Sequence, residues 1–316
     1  MFKCLYQSSW ALLLVTCITC GGGGGIGTGD AGSDGSNMQC GGHGQPACTV
    51  DAAGMDFLNH YGGEIRGEYS ANPSSGAESV ILGAFFVSAQ TPDSIAEPMD
   101  GCQDVKATTN TTNAGAINGT RTFEDLGDTM TLTGAGDQTI VMNRYMNLAD
   151  KRGLVMGIEY AYGGAVKNTL PVTMMLRGAE YNITSSGSGA FPGVLKIPTE
   201  WETVGGTLAF GSGDVNNISS GSDVVWQYSY VNGEQYVDTA SLLFSGSGTD
   251  GKPHAWFCVA PINNGEVTIP AATVAMFPPS GTLQAATNAH QQINFNGRVV
   301  DVIGVTCRTT PYTIAP

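Results

Sequence analysis

The residues best suited to a covalent modification are two cysteines near the start of the chain. Cys17 lies within an apolar run at residues 10–19, and Cys20 directly follows this run and precedes glycines at residues 21–25. Only one charge, Lys3, precedes the run. This pattern is typical of a bacterial lipoprotein signal, in which the leader is removed and the new N-terminal cysteine carries diacylglycerol and fatty acid. We expect acylation at Cys20, because it has the longer apolar run before it and a flexible tether after it.

Two alternatives to acylation at Cys20 stay open. Cys17 has a leucine three residues before it, the position where a lipoprotein signal carries a branched apolar residue. An ordinary signal peptide, cut at neither cysteine, is the other alternative. The apolar run is shorter than the ~20 residues that a membrane-spanning helix needs, so we expect it to be removed.

Five further cysteines, Cys40, Cys48, Cys102, Cys258 and Cys307, would meet an oxidising environment after export. Their short separation predicts a bridge between Cys40 and Cys48. Cys258 and Cys307 both lie in strand-like runs, so we predict a bridge between them and leave Cys102 unpaired. The Cys40 to Cys48 loop offers only three soft ligands, fewer than the four of a structural zinc site.

No catalytic motif stands out in the sequence. The four histidines lack the spacing of zinc proteases, and no Gly-x-Ser-x-Gly nucleophile motif occurs. Paired carboxylates could cleave glycosidic bonds. Five glutamates in or near strand-like segments suit this role, and nothing singles out two of them: Glu64, Glu68, Glu159, Glu200 and Glu202. The sequence favours a protein that is not an enzyme.

Calcium would find hard oxygen ligands in the turn-like segments around Asp125, Asp128 and Asp137. The sequence has none of the dense alternation of acidic and amide residues that defines an EF-hand loop. We therefore expect no metal cofactor and keep these three aspartates as the candidates for a calcium site.

Aromatic residues of the predicted strands could stack on the apolar faces of sugars, while polar groups hold the hydroxyls. We single out Trp201, Tyr230, Tyr236 and His254 as ligand-binding candidates. The competing interpretation places Trp201 in the core and His254 at the surface.

Composition favours short β-strands joined by tight turns, because the 316 residues include 45 glycines and only 13% are charged. The formal net charge of −14 repels phosphate backbones. We therefore expect no nucleic-acid partner.

We predict an all-β protein with two β-sandwich domains. The parts are a signal peptide at 1–19, a Gly-rich tether with the cysteine loop at 20–56, an N-terminal β domain at 57–218, and a C-terminal immunoglobulin-like sandwich at 219–316. Prolines frame residues 270–277, which we predict to form one or two helical turns. Apolar runs bounded by turn residues predict strands at 79–88, 129–133, 138–145, 153–160, 170–176, 180–184, 223–230, 236–245, 254–260, 266–269, 281–285, 291–295 and 299–306.

Several C-terminal segments carry a resemblance to a known group of proteins. They are the tryptophan segment 224–226, the cysteine segment 255–258 and the segments 265–272 and 281–283, together with the cysteine loop at 40–48. In these features the chain resembles β-rich bacterial outer-membrane and surface lipoproteins that have a cysteine loop after a Gly-rich tether and a C-terminal immunoglobulin-like sandwich. The resemblance is best over the last hundred residues. It implies an outer-membrane or extracellular location and supplies no catalytic residues.

These patterns together predict a protein that a lipid anchor holds at the bacterial outer membrane or cell surface, with a periplasm-facing orientation as the alternative. We expect a non-catalytic, adhesion-type module that binds a glycan or another envelope protein. The alternatives are a structural subunit of a cell-envelope assembly and a carbohydrate-active hydrolase.

Overall fold

The computed structural model describes residues 61–72, 76–89, 101–104, 122–134, 138–147, 157–162, 169–231, 237, 239–261 and 265–315. The predicted leader, the tether and the Cys40 to Cys48 loop lie outside the described residues. So do both candidate acylation sites, Cys17 and Cys20, and two candidate site residues, Tyr236 and Asp137.

Most of the described residues lie in β-strands, which confirms the all-β fold class. The helical turn predicted at 270–277 is confirmed, since α1 spans Ala271–Val274. Pro270, whose ring fixes its φ angle, lies immediately before this helix. No helix among these residues combines the length and the apolar character needed to cross a membrane. The strands are β1 Tyr61–Asn72, β2 Ala77–Ala89, β3 Gly101–Asp104, β4 Thr122–Phe123, β5 Thr129–Thr133, β6 Thr139–Asn147, β7 Gly157–Ala161, β8 Thr169–Leu170, β9 Glu180–Ser185, β10 Gly189–Lys196, β11 Trp201–Gly206, β12 Asn216–Ser219, β13 Val224–Tyr230, β14 Thr239–Ser247, β15 Pro253–Pro261, β16 Glu266–Ile269, β17 Ser280–Phe295 and β18 Arg298–Ala315.

One large sheet runs through most of the described chain in the order β10-β9-β5-β6-β7-β2-β1-β18-β17-β14-β15-β3. Its centre is the hairpin of β17 and β18, whose turn at Asn296 and Gly297 has positive φ at both residues. β1 runs parallel to β18, and the other pairings along this path are antiparallel. The sheet therefore joins strands from both ends of the described chain.

The first hydrophobic cluster lies on one face of this sheet, where the sheet curls so that β10 packs against β17 and β18. Alternation along β1 and β2 directs Ile65, Leu82 and Phe86 into the cluster. Phe191 from β10 stacks on Phe295 from β17 with ring centroids 4.2 Å apart. These contacts close the curled sheet around its own core.

The second hydrophobic cluster lies between the large sheet and a three-stranded sheet of order β11-β13-β16. Trp201 and Trp226 from the small sheet face Phe244 and Tyr312 from the large one. The β17–β18 hairpin contributes to both clusters, with Ile293, Val300 and Val302 in the first cluster and Tyr312 in the second. The predicted domain boundary at 218/219 and the immunoglobulin-like topology stay predictions.

Substitution of Gly304 tests how closely β18 packs against β10, because this glycine lies where β18 crosses the end of β10. A Cβ atom at this position would sit 1.6 Å from the carbonyl oxygen of Lys196. We expect Gly304→Ala to lower the free energy of unfolding by about 3 kcal/mol, since overpacking forces backbone shifts. Gly221→Ala is the control, because nothing lies within 4 Å of its Cβ. Equal stability of the two variants in urea titrations would contradict this packing.

Candidate ligand-binding face

The face of the large sheet opposite the hydrophobic clusters holds most of the buried polar side chains. Because neighbouring residues of a strand point to opposite faces, Ile65 and Val302 enter the first cluster while Glu64 and Asp301 point away from it. We call this surface the polar face. On the three central strands it includes Glu64, Arg66 and Glu68 of β1, Asp301, Ile303, Val305 and Cys307 of β18, and Gln284, Ala286, Asn288, His290 and Gln292 of β17.

A line of paired residues crosses six strands of the polar face and includes three carboxylates, two of which are direct neighbours. Glu64 of β1 lies opposite Asp301 of β18, in parallel register, and Glu159 of β7 lies one strand beyond Phe85 of β2. The three carboxylate residues are only 2%, 4% and 7% exposed, respectively. We call this line the carboxylate row: Tyr145, Glu159, Phe85, Glu64, Asp301 and Gln292.

Two of the buried carboxylates have defined hydrogen-bond partners. The Oδ1 atom of Asp301 lies 2.8 Å from His290 Nε2 and accepts a hydrogen bond from Gln292 Nε2 at 3.3 Å. Glu159 accepts a hydrogen bond from the hydroxyl of Tyr145. Burial, followed by the charge of Glu159, raises the pKa of Tyr145, so that its hydroxyl stays a donor.

Glu64 differs from these neighbours, because its Oε1 atom is buried and has no hydrogen-bond partner. Burial raises the pKa of Glu64 to about 7. The Arg66 charge lowers this pKa, the Asp301 charge raises it, and the His290 charge lowers it, in decreasing order of effect. The carboxyl group of Glu64 therefore keeps its proton to a higher pH than an ordinary glutamate.

Beside Glu64 and Asp301, a second set of polar side chains surrounds the free cysteine Cys307. Arg66 forms an ion pair with Glu68 at 3.0 Å. The Sγ atom of Cys307 accepts a hydrogen bond from Gln284 Nε2 at 2.9 Å, and the thiol donates to Glu68 Oε1 at 3.6 Å. Burial and the charge of Glu68 raise the pKa of Cys307, so the thiol stays neutral and is a poor nucleophile.

An apolar strip separates the polar groups of β1 from those of β17. On β18, Ile303 lies between Arg66 of β1 and His290 of β17, and Val305 lies between Glu68 and Asn288. Both are 1% exposed and form a small buried cluster with Ala286 and Cys307. Apolar side chains flanked by a few fixed polar groups are the usual lining of a small-molecule site. The polar face therefore has the chemistry to bind a ligand that combines an apolar body with hydrogen-bond donors.

Trp201, predicted as a ligand-binding candidate, is instead part of the second cluster, so the ligand-binding interpretation is wrong for this residue. Its side chain is fully buried, and its Nε1 atom donates to the carbonyl oxygen of Thr306 at 3.1 Å. The indole makes edge contacts with Trp226 and Phe210 at centroid distances of 4.7 and 5.5 Å. Arg308 covers the ring at 5.0 Å.

The other described candidates lie away from the polar face. Tyr230 is half-buried on β13 of the small sheet, with its ring edge against Tyr228. His254 stands at the start of β15, where its Nε2 atom lies 3.1 Å from Asp250 Oδ1 in the turn after β14. A ligand-binding role for these two residues stays a prediction.

Two of the three aspartates predicted as calcium ligands, Asp125 and Asp128, contact a guanidinium group. Arg144 of β6 forms ion pairs with Asp125 and, at 3.6 Å, with Asp128. Asp125 also accepts a hydrogen bond from the backbone N–H of Gly127 at 3.0 Å. Within the described ranges no three His, Cys, Asp or Glu side chains meet as a metal-ligand group.

The predicted bridge between Cys258 and Cys307 is wrong, since the structure joins Cys102 to Cys258 and leaves Cys307 as a free, buried thiol. Two strands, β17 and β14, separate β18 from β15. The two side chains also lie on opposite faces, with Cys258 in the second cluster and Cys307 on the polar face. Cys102 lies directly opposite Cys258 in the antiparallel pair of β3 and β15.

This bridge should be directly measurable. Non-reducing peptide mapping of the purified protein is expected to recover Cys102 linked to Cys258 and Cys307 as a free thiol. Replacing both bridged cysteines by serine should lower the free energy of unfolding by about 2–5 kcal/mol, because the bridge closes a long loop. A recovered peptide that links Cys258 to Cys307 would contradict the strand order.

The polar face contains residues that the sequence did not reveal as a site. Glu64 and Glu159 were among the five candidate glutamates, but Asp301 and Gln292 were not considered, and His290 was considered only for the spacing of a zinc protease. A signal was present, because Asn288, His290 and Gln292 recur at every second residue, the period of one strand face.

The comparisons with known proteins supply no relative from which a role could be transferred. No family model matches the chain, and no curated protein sequence matches it significantly.

Proposed function

We propose that the chain is an exported lipoprotein, held by acyl chains on Cys20, whose β-rich body binds a ligand or surface without catalysis. The bridge between Cys102 and Cys258 is the observation that carries the export part of this proposal. Disulfides form and persist in oxidising compartments, which agrees with a leader that directs the chain out of the cytoplasm. The Gly-rich tether would let the folded part reach away from the membrane.

The binding part of the proposal is supported by the polar face. Carboxylates, amides and an imidazole converge there beside an apolar strip, in the combination that ligand sites use. The neutral, buried thiol of Cys307 gives no support for nucleophilic catalysis. Binding is therefore the role that these groups support best.

Acylation is tested by growing cells with labelled palmitate. We expect label on the wild-type chain and on Cys17→Ser, and its loss from Cys20→Ser. Loss from Cys17→Ser alone would move the anchor to Cys17. Absence of label from the mature wild-type chain would contradict a lipid anchor.

The location of the folded part is tested by adding protease to intact cells that carry a C-terminal tag on the chain. Loss of the tag, while a periplasmic control protein survives, is expected for a module that binds at the cell surface. Protection of the tag would place the folded part in the periplasm and contradict a role in adhesion.

A structural subunit of an envelope assembly is the second candidate function, and the edge strand β11 favours it. Among the described strands β11 pairs only with β13, and Val204 on it is 61% exposed. An unprotected edge can accept a strand from another chain. Crosslinking in cells should then capture a partner through β11, and Val204→Lys should abolish the product.

A further inference from the structure

The last strand of the large sheet, β3, lies far from the strands that precede and follow it in the chain. Among the described strands it pairs only with β15. Its neighbours in sequence are β2 and β4, which pair with each other. The path across the sheet from β2 to β3 passes β1, β18, β17, β14 and β15, so the two strands are about 29 Å apart at the usual strand spacing.

β2 and β3 are also offset along the direction of the strands. Register through β1 places Phe86 of β2 level with Val300 of β18. Register through β15, β14 and β17 places Gly101 of β3 level with Cys307. The lengthwise offset is about 23 Å, which brings the separation measured along the sheet to about 37 Å. β2 continues away from this level and ends at Ala89, so the connection starts farther still from Gly101.

The connection from β2 to β3 is short for this separation. Residues 90–100 number eleven, and a fully extended chain of that length reaches about 40 Å. A connection that needs most of its reach has few conformations that place β3 on its own β15, so the effective concentration of β3 at that edge is low. The connection from β3 to β4, residues 105–121, is longer and has reach to spare.

The edge that β3 covers is suited to accept a strand. β15 spans Pro253–Pro261, and β3 pairs only with its central residues 256–259. The aromatic and β-branched residues of this segment favour strand pairing. An edge of this kind pairs with a strand from another chain when its own cover is absent. The register of β3 on β15, with Cys102 opposite Cys258, shows that β3 itself fits this edge.

We propose that β3 is an exchangeable strand, and that two copies of the chain associate by placing β3 of each copy on β15 of the other. Short connections under tension favour such an exchange. The pairing and its register are those of the structure, and the bridge between Cys102 and Cys258 then joins two copies. The inference goes beyond the proposed binding function and depends neither on it nor on the lipid anchor.

The bridge makes an exchanged pair permanent. The thiols of Cys102 in one copy and Cys258 in the other form a sulfur–sulfur bond, and their two protons and two electrons pass to a disulfide oxidant, which becomes two thiols. Two such bridges form in each exchanged pair. Cys307 lies outside this reaction, because it is buried on β18, from which β17 and β14 separate β15.

The experiment mixes equal amounts of the mature chain with natural nitrogen and with nitrogen-15. The mixture is reduced with dithiothreitol under native conditions, held at several protein concentrations and reoxidised with oxidised glutathione. Monomer and dimer are separated by size, and non-reducing peptide mapping reads the isotope of each half of the peptide that links Cys102 to Cys258. A bridge within one copy gives two halves of the same isotope, whereas a bridge between copies also gives mixed halves.

We expect mixed linked peptides in the dimer and none in the monomer. Within the dimer, mixed and same-isotope peptides should be equally frequent, because copies of the two kinds pair at random. While the dimer is the minor species, the ratio of dimer to monomer should rise about tenfold for a tenfold higher protein concentration.

Variants of the two connections test the physical reason for exchange. Deleting residues 95–97 shortens the reach by about 10 Å, so the ratio of dimer to monomer should rise by about tenfold or more. Inserting six Gly and Ser residues after Ser94 lengthens the reach and should lower this ratio by about fivefold or more. The matched control carries the same insertion after Gly115, in the longer connection, and should keep the wild-type ratio.

The outcomes separate exchange from other modes of association. Same-isotope linked peptides alone, at every protein concentration, would overturn the proposal. A dimer in which all linked peptides have one isotope would place the contact on another surface, such as the edge of β11, and would overturn it as well. Mixed peptides whose amount is the same for both insertion variants would contradict the role of the short connection. None of these results depends on acylation or on a bound ligand.

Discussion

Replacing Glu64 by glutamine is expected to stabilise the folded protein at neutral and alkaline pH. Burial raises the pKa of Glu64 from its ordinary value of 4.5 to about 7 in the folded protein. The folded state then binds this proton more tightly than the unfolded chain, so its contribution to stability is complete below pH 4.5 and is lost as the pH rises through about 7. Each pKa unit is worth about 1.4 kcal/mol, so the loss is about 3 kcal/mol.

Glutamine keeps the shape of the side chain but cannot ionise. Urea titrations from pH 4.5 to pH 8 should therefore show the wild type losing about 3 kcal/mol relative to Glu64→Gln. The variant Glu202→Gln removes an exposed carboxylate on β11 and should follow the wild type at every pH. Parallel curves for the wild type and Glu64→Gln would show that Glu64 is not buried as described.

Truncation of Trp201 is expected to destabilise the protein by about 4 kcal/mol, the cost of removing a large aromatic side chain from a core. The indole is fully buried between Trp226 and Phe210, and its N–H group donates to Thr306. Trp201→Ala leaves a cavity between the two sheets and an unpaired carbonyl group. Thermal and urea unfolding of the variant measure the loss.

Two controls separate a core role from a binding role for Trp201. Trp201→Phe keeps a ring but removes the N–H donor, so its loss should be smaller than that of Trp201→Ala. Val204→Ala changes an exposed side chain on the same strand and should stay within about 0.5 kcal/mol of the wild type. A Trp201→Ala variant with wild-type stability and weakened ligand binding would contradict the core assignment.

The strands that face a hydrophobic cluster on one side could be predicted well from the sequence. The predicted segments 129–133 and 180–184 agree with β5 and β9 to within one residue at each end, because apolar residues alternate along them. The segment 79–88 agrees equally well with the centre of β2. In these strands one periodic pattern determines both the strand and its buried face.

The strands of the polar face were harder to predict. β17 was predicted as two strands, 281–285 and 291–295, because Thr287, Asn288 and His290 interrupt its apolar pattern. β1 was not predicted, since glycines and charged residues occupy much of it. A buried polar face removes the apolar alternation that sequence analysis uses to find a strand.

The carboxylate pair itself could not be predicted from the sequence. Glu64 and Asp301 meet only because β1 runs parallel to β18, a pairing of strands from opposite ends of the described chain. The same long-range order decides the disulfide, since β3 pairs with β15 and carries Cys102 opposite Cys258. Local patterns carry no information about which distant strands become neighbours.

The most direct test of the buried carboxylate pair is a pH titration of the folded protein with carbon-13 at the glutamate side-chain carboxyl groups. The Glu64 resonance is identified as the one missing from Glu64→Gln. The structure predicts that this resonance titrates near pH 7, because burial and Asp301 outweigh the opposing charge of Arg66. Titration near the ordinary value of 4.5 would mean that Glu64 is solvated, and it would contradict the polar face as a buried ligand site.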